Sequence, residues 1–316
     1  MLNVRTLMIA ACAAVVALGA FAPELKAEYP EKKITFVIPF GAGGGTDRWG
    51  RTMAVQAEKH FGQPWQPANV TGAQGVNGWK HMLEQPADGY TLLMGSGSIN
   101  LSLALNPTPL VQDDQIKIIS IISAFQSVML AKPGQPWSDW EGFKKYATEN
   151  PGKLTLGGSL GNLVAFASLM DQAGLKIRLV PYPGAGAATT DFLGGHVDLV
   201  GVVAASADKL VPEKAAAVIV ASDKPVPTAG LKDVPTAKQM GYKGMDTTRW
   251  IGVHPDTPDA IADSIASKLE SLLADPKVKV PLEKSGERVG FTPREESAKM
   301  YTEMVADVKK AAKLLK

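Results

Sequence analysis

The sequence predicts an α/β protein of two similar units, the second inserted into the first. Three observations point there. The order apolar strand, glycine-rich turn, helix occurs four times along the chain, and β-rich runs alternating with helices are the pattern of parallel α/β sheets. The pattern restarts after Pro133, Pro136 and Pro151. The chain ends in two helical stretches, Pro258–Leu273 and Pro293–Leu315, which need the first sheet to pack on. A length of 316 residues suits two domains at roughly 100–200 residues each.

The elements follow in order. Arg5 precedes an uninterrupted apolar run, Leu7 to Ala22. Pro23 breaks the run, and Leu25-Lys26-Ala27 places a small residue at a cleavage position. The run is shorter than the roughly 20 residues that span a bilayer. Residues 1–27 therefore read as a cleaved secretory leader, and the mature chain is expected in the periplasm. Ile9 to Cys12 looks like a lipoprotein box but comes too early in the run. Cleavage removes Cys12, the only cysteine, so no disulfide, thiolate nucleophile or cysteine-bound metal is expected.

Ile34–Ile38 reads as a strand, Pro39 to Gly45 as a turn, and Thr46 to Phe61 as a helix. A short strand ends at Val70. The turn Thr71–Gly75 leads into a helix at Val76–Gln85. Tyr90–Met94 is a strand with Gly95–Ser98 as its turn. Ile116–Ile122 and Ser127–Ala131 are β-branched and apolar, and a helix fits between Trp137 and Ala147. In the second unit, Leu154–Leu156, Ile177–Val180, Val197–Val203 and Ala217–Ala221 read as strands. Helices fit Asn162–Ala173 and Ala187–Leu193. Trp250–Val253 is a last strand. Crossings near Ser127–Ala131 and Trp250–Val253 would make a two-strand hinge. The expected domains are 28–128 with 250–316, and 129–249. A cleft between two such units is where ligands bind.

Charge and composition exclude several functions. A net charge of +2 is too small for an electrostatic nucleic-acid binder. The four histidines, His60, His81, His196 and His254, lack metal-site spacing. Gly41-x-Gly43-x-x-Thr46 is an incomplete dinucleotide fingerprint. No cofactor and no metal is expected. The tryptophans are assigned to core packing.

The four turns carry the chemistry. The first holds Phe40, Ala42, Gly43, Gly44, Thr46 and Asp47. The second holds Gly72, Ala73, Gly75 and Asn77. The third holds Gly158 and Ser159, and the fourth Pro183, Gly184, Ala185 and Ala187. Small residues let a ligand approach the backbone. The first N–H groups of a helix lack internal partners and carry partial positive charge, so such turns hold anions without Lys or Arg. A single turn of this kind is often only a tight connection; four, two per unit, point to a site. Asp47 would compete with an anion for the same N–H groups, so it reads as a cap or an orienting group. Arg48, Lys80, Arg178 and Arg249 are candidate counter-charges, read first as solvated or ion-paired surface residues.

A rival reading is an exported serine hydrolase. Gly157-x-Ser159-x-Gly161 matches the nucleophile-elbow pattern, with Asp198, Asp246 and His254 following in hydrolase order. No HGGG-type oxyanion turn accompanies it.

The motifs together carry a family resemblance. Ile38-Pro39-Phe40-x-Ala42-Gly43-Gly44-Gly45-Thr46-Asp47, Ala87-Asp88-Gly89-Tyr90-Thr91-Leu92-Leu93, Val180-Pro181-Tyr182-x-Gly184-Ala185, Asp191-x-Leu193-x-Gly195-x-Val197-Asp198 and Trp250-x-Gly252-Val253 stand in order. The chain resembles the TctC/Bug family, extracytoplasmic solute receptors of tripartite tricarboxylate transporters. The resemblance implies a two-domain periplasmic binding protein fold, a type II-like Venus flytrap, and no catalysis. It implies capture of a small di-, tri- or aromatic carboxylate by the turns just named. It further implies a monomer that delivers this ligand to a large and a small membrane subunit, or alternatively to a sensor. Two departures stand out. Leu199–Val203 lacks the acidic residue common after the Val-Asp pair, which disfavours amino-acid ligands. Phe166 stands near a frequent histidine position, which suggests an apolar or aromatic ligand edge.

Overall fold

The computed structural model describes residues 29–313, apart from 107, 138, 183, 227, 285 and 286. The expected leader, with Cys12, and the candidate Pro183 lie outside the described residues.

The first sheet is built from β1 (Ile34–Ile38), β2 (Trp65–Asn69), β3 (Thr91–Ser96) and β4 (Lys117–Phe125). Helices α1 (Gly45–Phe61), α2 (Val76–Leu83) and α3 (Gly97–Leu105) connect or follow these strands. The chain then enters a second sheet through β5 (Ser127–Ala131), followed by α4 (Trp140–Glu149). Strand β6 (Thr155–Ser159), helix α5 (Leu160–Gln172), strand β7 (Arg178–Tyr182) and helix α6 (Ala185–Gly194) come next. Strand β8 (Leu199–Val203), the short α7 (Ala204–Ala207) and β9 (Ala216–Val220) complete that sheet. The chain returns through β10 (Thr247–Val253) and finishes with α8 (Asp259–Ala274), α9 (Pro276–Glu283), β11 (Arg288–Val289) and α10 (Arg294–Ala312).

The sheet orders are β11-β4-β10-β3-β1-β2 and β7-β6-β8-β5-β9. Both sheets are mixed rather than parallel. Strand β10 runs antiparallel to β3 and β4, and β5 runs antiparallel to β8 and β9. The reason lies in the crossings. A single residue, Gln126, separates β4 from β5, so the chain leaves one sheet at a carboxyl edge and enters the other pointing away from it. Strand β10 makes the reverse passage. Gln126 is buried; its amide meets Ser222 and the Lys224 carbonyl, and its own carbonyl accepts from Ala204.

Each sheet is covered on both faces, as the period-2 pleat requires. Ile34, Phe36 and Ile38 face one core with Trp49, Met53 and Leu269, whereas Val37 faces another with Trp79 and Trp250. In the second sheet Met129 and Ala131 face Trp140, Phe143 and Phe166, whereas Val128 and Leu130 face Phe192 and Val226. All the tryptophans are buried. Helix α10 joins the two halves, since Val308, Ala311 and Ala312 pack with Leu101 of α3 and with Val164 and Ala167 of α5.

Local differences from expectation have physical causes. Strand β6 runs through Gly157 and Gly158, which read as a turn. A Cβ on Gly158 would meet Leu163 at 3.1 Å and the Gly201 carbonyl at 3.2 Å, so its small size serves strand-to-helix packing. Gly97 and Ser98 begin α3 rather than a turn. The closing helices are three rather than two: α8 ends at Ala274, next to the expected Leu273, and Asp275 and Pro276 cap and open an additional helix, α9, since proline suits a first helical position.

Candidate functional site

The first turn shows how the sequence leaves amides free. Gly43 adopts φ +79 and Gly44 is extended at φ −70, ψ 170, as the N-cap of α1. Asp47 does not cap the first turn of the helix. Its buried carboxylate accepts from the Gly43 N–H (2.8 Å), from Arg51 Nε (2.9 Å) and from Asn69 Nδ2 (2.9 Å). The Arg51 hydrogen bond, chief among these donors, holds its pKa down at about 2 against the opposing effect of burial. Asp47 thus clamps the glycine turn, and no side chain caps α1.

The same arrangement recurs. The N-caps of α3, α5, α6 and α7 are Ser96, Ser159, Gly184 and Val203, all extended, and none uses a side chain to cap its helix. Together with Gly44, these residues line one cavity of about 530 Å³. Two of the five helix starts come from the first sheet and three from the second. Helices α1, α3, α5 and α6 bring unpartnered amide hydrogens and the positive end of a helix dipole to the same space, whereas the first amide of α7, Ala204, is spent on the Gln126 carbonyl. By contrast Asp139 and Asp275, the caps of α4 and α9, accept from the amides of Gly142 and Lys277. Neither lines the cavity.

The wall adds a few side chains. Ser96 and Ser98 share a hydroxyl contact of 2.7 Å. Asn162 is spent on the Gly201 carbonyl and the Ser127 hydroxyl. Tyr182 donates to Asp191 at 2.8 Å, which raises the phenol pKa. Phe40, Phe125, Leu160 and Val203 supply the apolar part.

Of the residues expected at the site, Phe40, Ala42, Gly44, Thr46, Ser159, Gly184 and Ala185 line this cavity. Gly43, Asp47, Gly72, Ala73, Gly75, Asn77, Gly158 and Ala187 stand outside its wall. Several of them shape it instead. Asn77 donates to the Thr71 carbonyl, and Gly75 lies where a Cβ would press on Ile99 and Phe40. The second turn presents Gln74, held with Ala73 at positive φ of 55 and 45. Ser96, Ser98, Phe125, Tyr182 and Val203 line the wall without being among the expected site residues, and Arg249, a candidate counter-charge, joins them.

Arg249 is a correction. It is ion-paired as expected, but only 8% exposed. Its Nε and Nη2 donate to both carboxylate oxygens of Glu287 at 2.7 and 2.8 Å, and Nη1 donates to Thr46 Oγ1 at 2.9 Å. The guanidinium lies 5.6 Å from the Trp49 ring and 5.4 Å from that of Phe125. Arg48, Lys80 and Arg178 are exposed and off the wall. Phe166 is wholly buried against Gly201, so Phe40 and Phe125 form the aromatic edge instead.

The hydrolase constellation does not assemble. Asp198 accepts from the amide and hydroxyl of Thr155, at the opposite end of β6 from Ser159. Four residue steps along the strand separate Thr155 from Ser159, roughly 13 Å. Asp246 pairs with Arg288, and His254 stands beside Asp256, beyond the far end of β10. A larger hollow of about 930 Å³ lies near the amino end of β4, between Lys117 and Arg294. None of the five helix starts opens into it.

Comparison with known proteins agrees with this architecture. BugT of Bordetella pertussis is 28% identical over 245 residues, covering 74% of each chain. The structure of MatC from Rhodopseudomonas palustris with bound malate has a TM-score of 0.71 at 22% identity, covering 91% of this chain and 100% of its own. Rpa4515 of the same organism, solved with adipate, gives 0.76 at 23% identity, covering 91% and 98%. The fold is that of the two-domain periplasmic binding proteins. The family model described as tripartite tricarboxylate transporter family receptor, TctC, matches residues 50–316, and the chain belongs to that family.

Proposed function

We propose that the protein is a periplasmic, non-catalytic receptor that captures a small carboxylate, a dicarboxylate first of all, between its two lobes. The carrying observation is the convergence of five side-chain-free helix starts, from both sheets, on one cavity. A charge-assisted hydrogen bond contributes about 1.5–3 kcal/mol. Several such bonds at each end of a dicarboxylate can offset the costs of ordering and closure and still leave a surplus near −8 kcal/mol, a micromolar affinity. Malate in MatC and adipate in Rpa4515 are ligands of the chemistry this wall suits.

In this reading the lobes turn about Gln126 and the start of β10, within a few residues of the expected bounds at 128 and 250, because β5 pairs wholly in the second sheet and β10 wholly in the first. The ligand contacts lie at Phe40–Ala42, Gly44–Thr46, Gln74, Ser96, Ser98, Ser159–Asn162 and Gly184–Ala185. The monomer, freed of residues 1–27, hands its ligand to a large and a small membrane subunit. The test is a thermal-shift panel of mono-, di- and tricarboxylates. A saturable rise in melting temperature with a dicarboxylate is expected; no shift with any member at millimolar concentration refutes the proposal.

A further inference from the structure

We propose that Glu287 sets the charge of the anion this cavity accepts, by neutralising Arg249; the inference rests on the receptor reading above. Among the described residues that line the cavity, Arg249 is the one carrying a formal charge. That charge is already spent. The guanidinium meets both carboxylate oxygens of Glu287, the planar bidentate fit that arginine makes best. Ser123 donates to the same carboxylate at 2.9 Å, and Glu287 is 9% exposed. The pair is thus a buried, internally balanced unit set into the wall.

The remaining guanidinium edge donates to Thr46 Oγ1. The threonine oxygen therefore acts as acceptor and keeps its own hydrogen for a ligand. Arg249 acts through Thr46 as a positioning residue rather than as a counter-charge. The wall consequently offers amide and hydroxyl donors without a free cation. Helix starts supply only partial charge, so the native cavity draws its preference between anions from hydrogen-bond donors and not from a free cation. Removing either partner creates net charge beside the ligand, with opposite sign. In a site of intermediate dielectric, a nearby unit charge changes affinity on the order of tenfold per unit of ligand charge.

The experiment measures the ratio of dissociation constants of butyrate and succinate by calorimetry, at low and high salt, in the wild type and in Glu287→Gln and Arg249→Gln. Glu287→Gln frees the guanidinium and shifts the ratio at least tenfold toward succinate, with the shift fading in high salt. Arg249→Gln leaves an unpaired carboxylate and shifts the ratio toward butyrate. A purely structural role weakens both ligands alike in both variants and leaves the ratio unmoved, which overturns the inference. If one variant fails to fold, the sign of the other decides. If the wild type binds carboxylates but neither ratio moves, only this inference falls. If the wild type binds none, the receptor reading falls and takes this one with it.

Discussion

Ala185→Pro tests whether backbone amides hold the ligand. Ala185 is the first residue of α6, and Gly184 before it is extended at φ −172, ψ 163. Proline is well tolerated at a first helical position because the missing N–H has no partner within the helix. The extended conformation of Gly184 also suits the residue before a proline. The substitution therefore deletes one amide hydrogen from the cavity wall at little cost to the fold. Losing one charge-assisted bond of about 1.5–3 kcal/mol weakens binding roughly tenfold to a hundredfold. Ala185→Gly keeps the N–H and is the control, expected within a few-fold of the wild type. The assay is calorimetric titration of the dicarboxylate that gives the largest thermal shift, with urea unfolding to confirm unchanged stability. If Ala185→Pro binds as tightly as the control, the start of α6 does not hold the anion.

Two further outcomes concern the frame of the site. The Asp47 pKa falls from 3.8 to about 2 on folding, so the folded state binds fewer protons than the unfolded one. Its stabilising contribution is present above about pH 4 and is lost as pH falls toward 2; Asp47→Asn should flatten that part of an acid-unfolding curve followed by circular dichroism. Gly95→Ala places a Cβ 2.1 Å from the Trp250 ring. Overpacking of this kind costs typically 1–3 kcal/mol, and urea unfolding should report at least that.

The parts of the site that could be read in the sequence were those whose physics is local. Gly41 to Gly45 must form a tight turn, and the strand before it and the helix after it are plainly patterned. Gly184 and Ala185 follow the same logic. Helix α3 was hidden because Gly-Ser-Ile-Asn-Leu-Ser-Leu-Ala-Leu has no polar stripe. It is buried between the sheet and α10, with Leu101 against Val308, so it shows no amphipathic period, and its opening Gly-Ser looks like a turn. With α3 went Ser96. Val203 was hidden for a different reason: it reads as the end of a strand, which it is, and nothing in Ala204–Ala207 announces a helix. Gly72 and Gly75 announced a turn correctly, but the residue on the wall is Gln74, because the backbone reverses there at positive φ. Arg249 needed its partner. Glu287 lies 38 residues further on, and no local pattern joins the two.

The division of helix starts between the sheets has a consequence for how a ligand is shared. Gly45 is the first residue of α1 and Ala185 that of α6, and both precede or follow residues on the cavity wall. Gly44 is extended as Gly184 is, so Gly45→Pro deletes an amide from the first sheet's side as gently as Ala185→Pro does from the second's. If each lobe grips one carboxylate of a dicarboxylate, the two losses are independent. The double variant then shows their sum within about 0.5 kcal/mol. A monocarboxylate under the same reasoning responds strongly to one substitution and weakly to the other. If both amides point at one carboxylate, the losses couple and a monocarboxylate responds to each. Additivity with a split response to butyrate would mean that the anion is a bridge between lobes. Binding would then favour the closed state by the contacts that only closure completes. Strong coupling in the double-mutant cycle, with equal responses to butyrate, would refute the bridge and place both amides on one carboxylate.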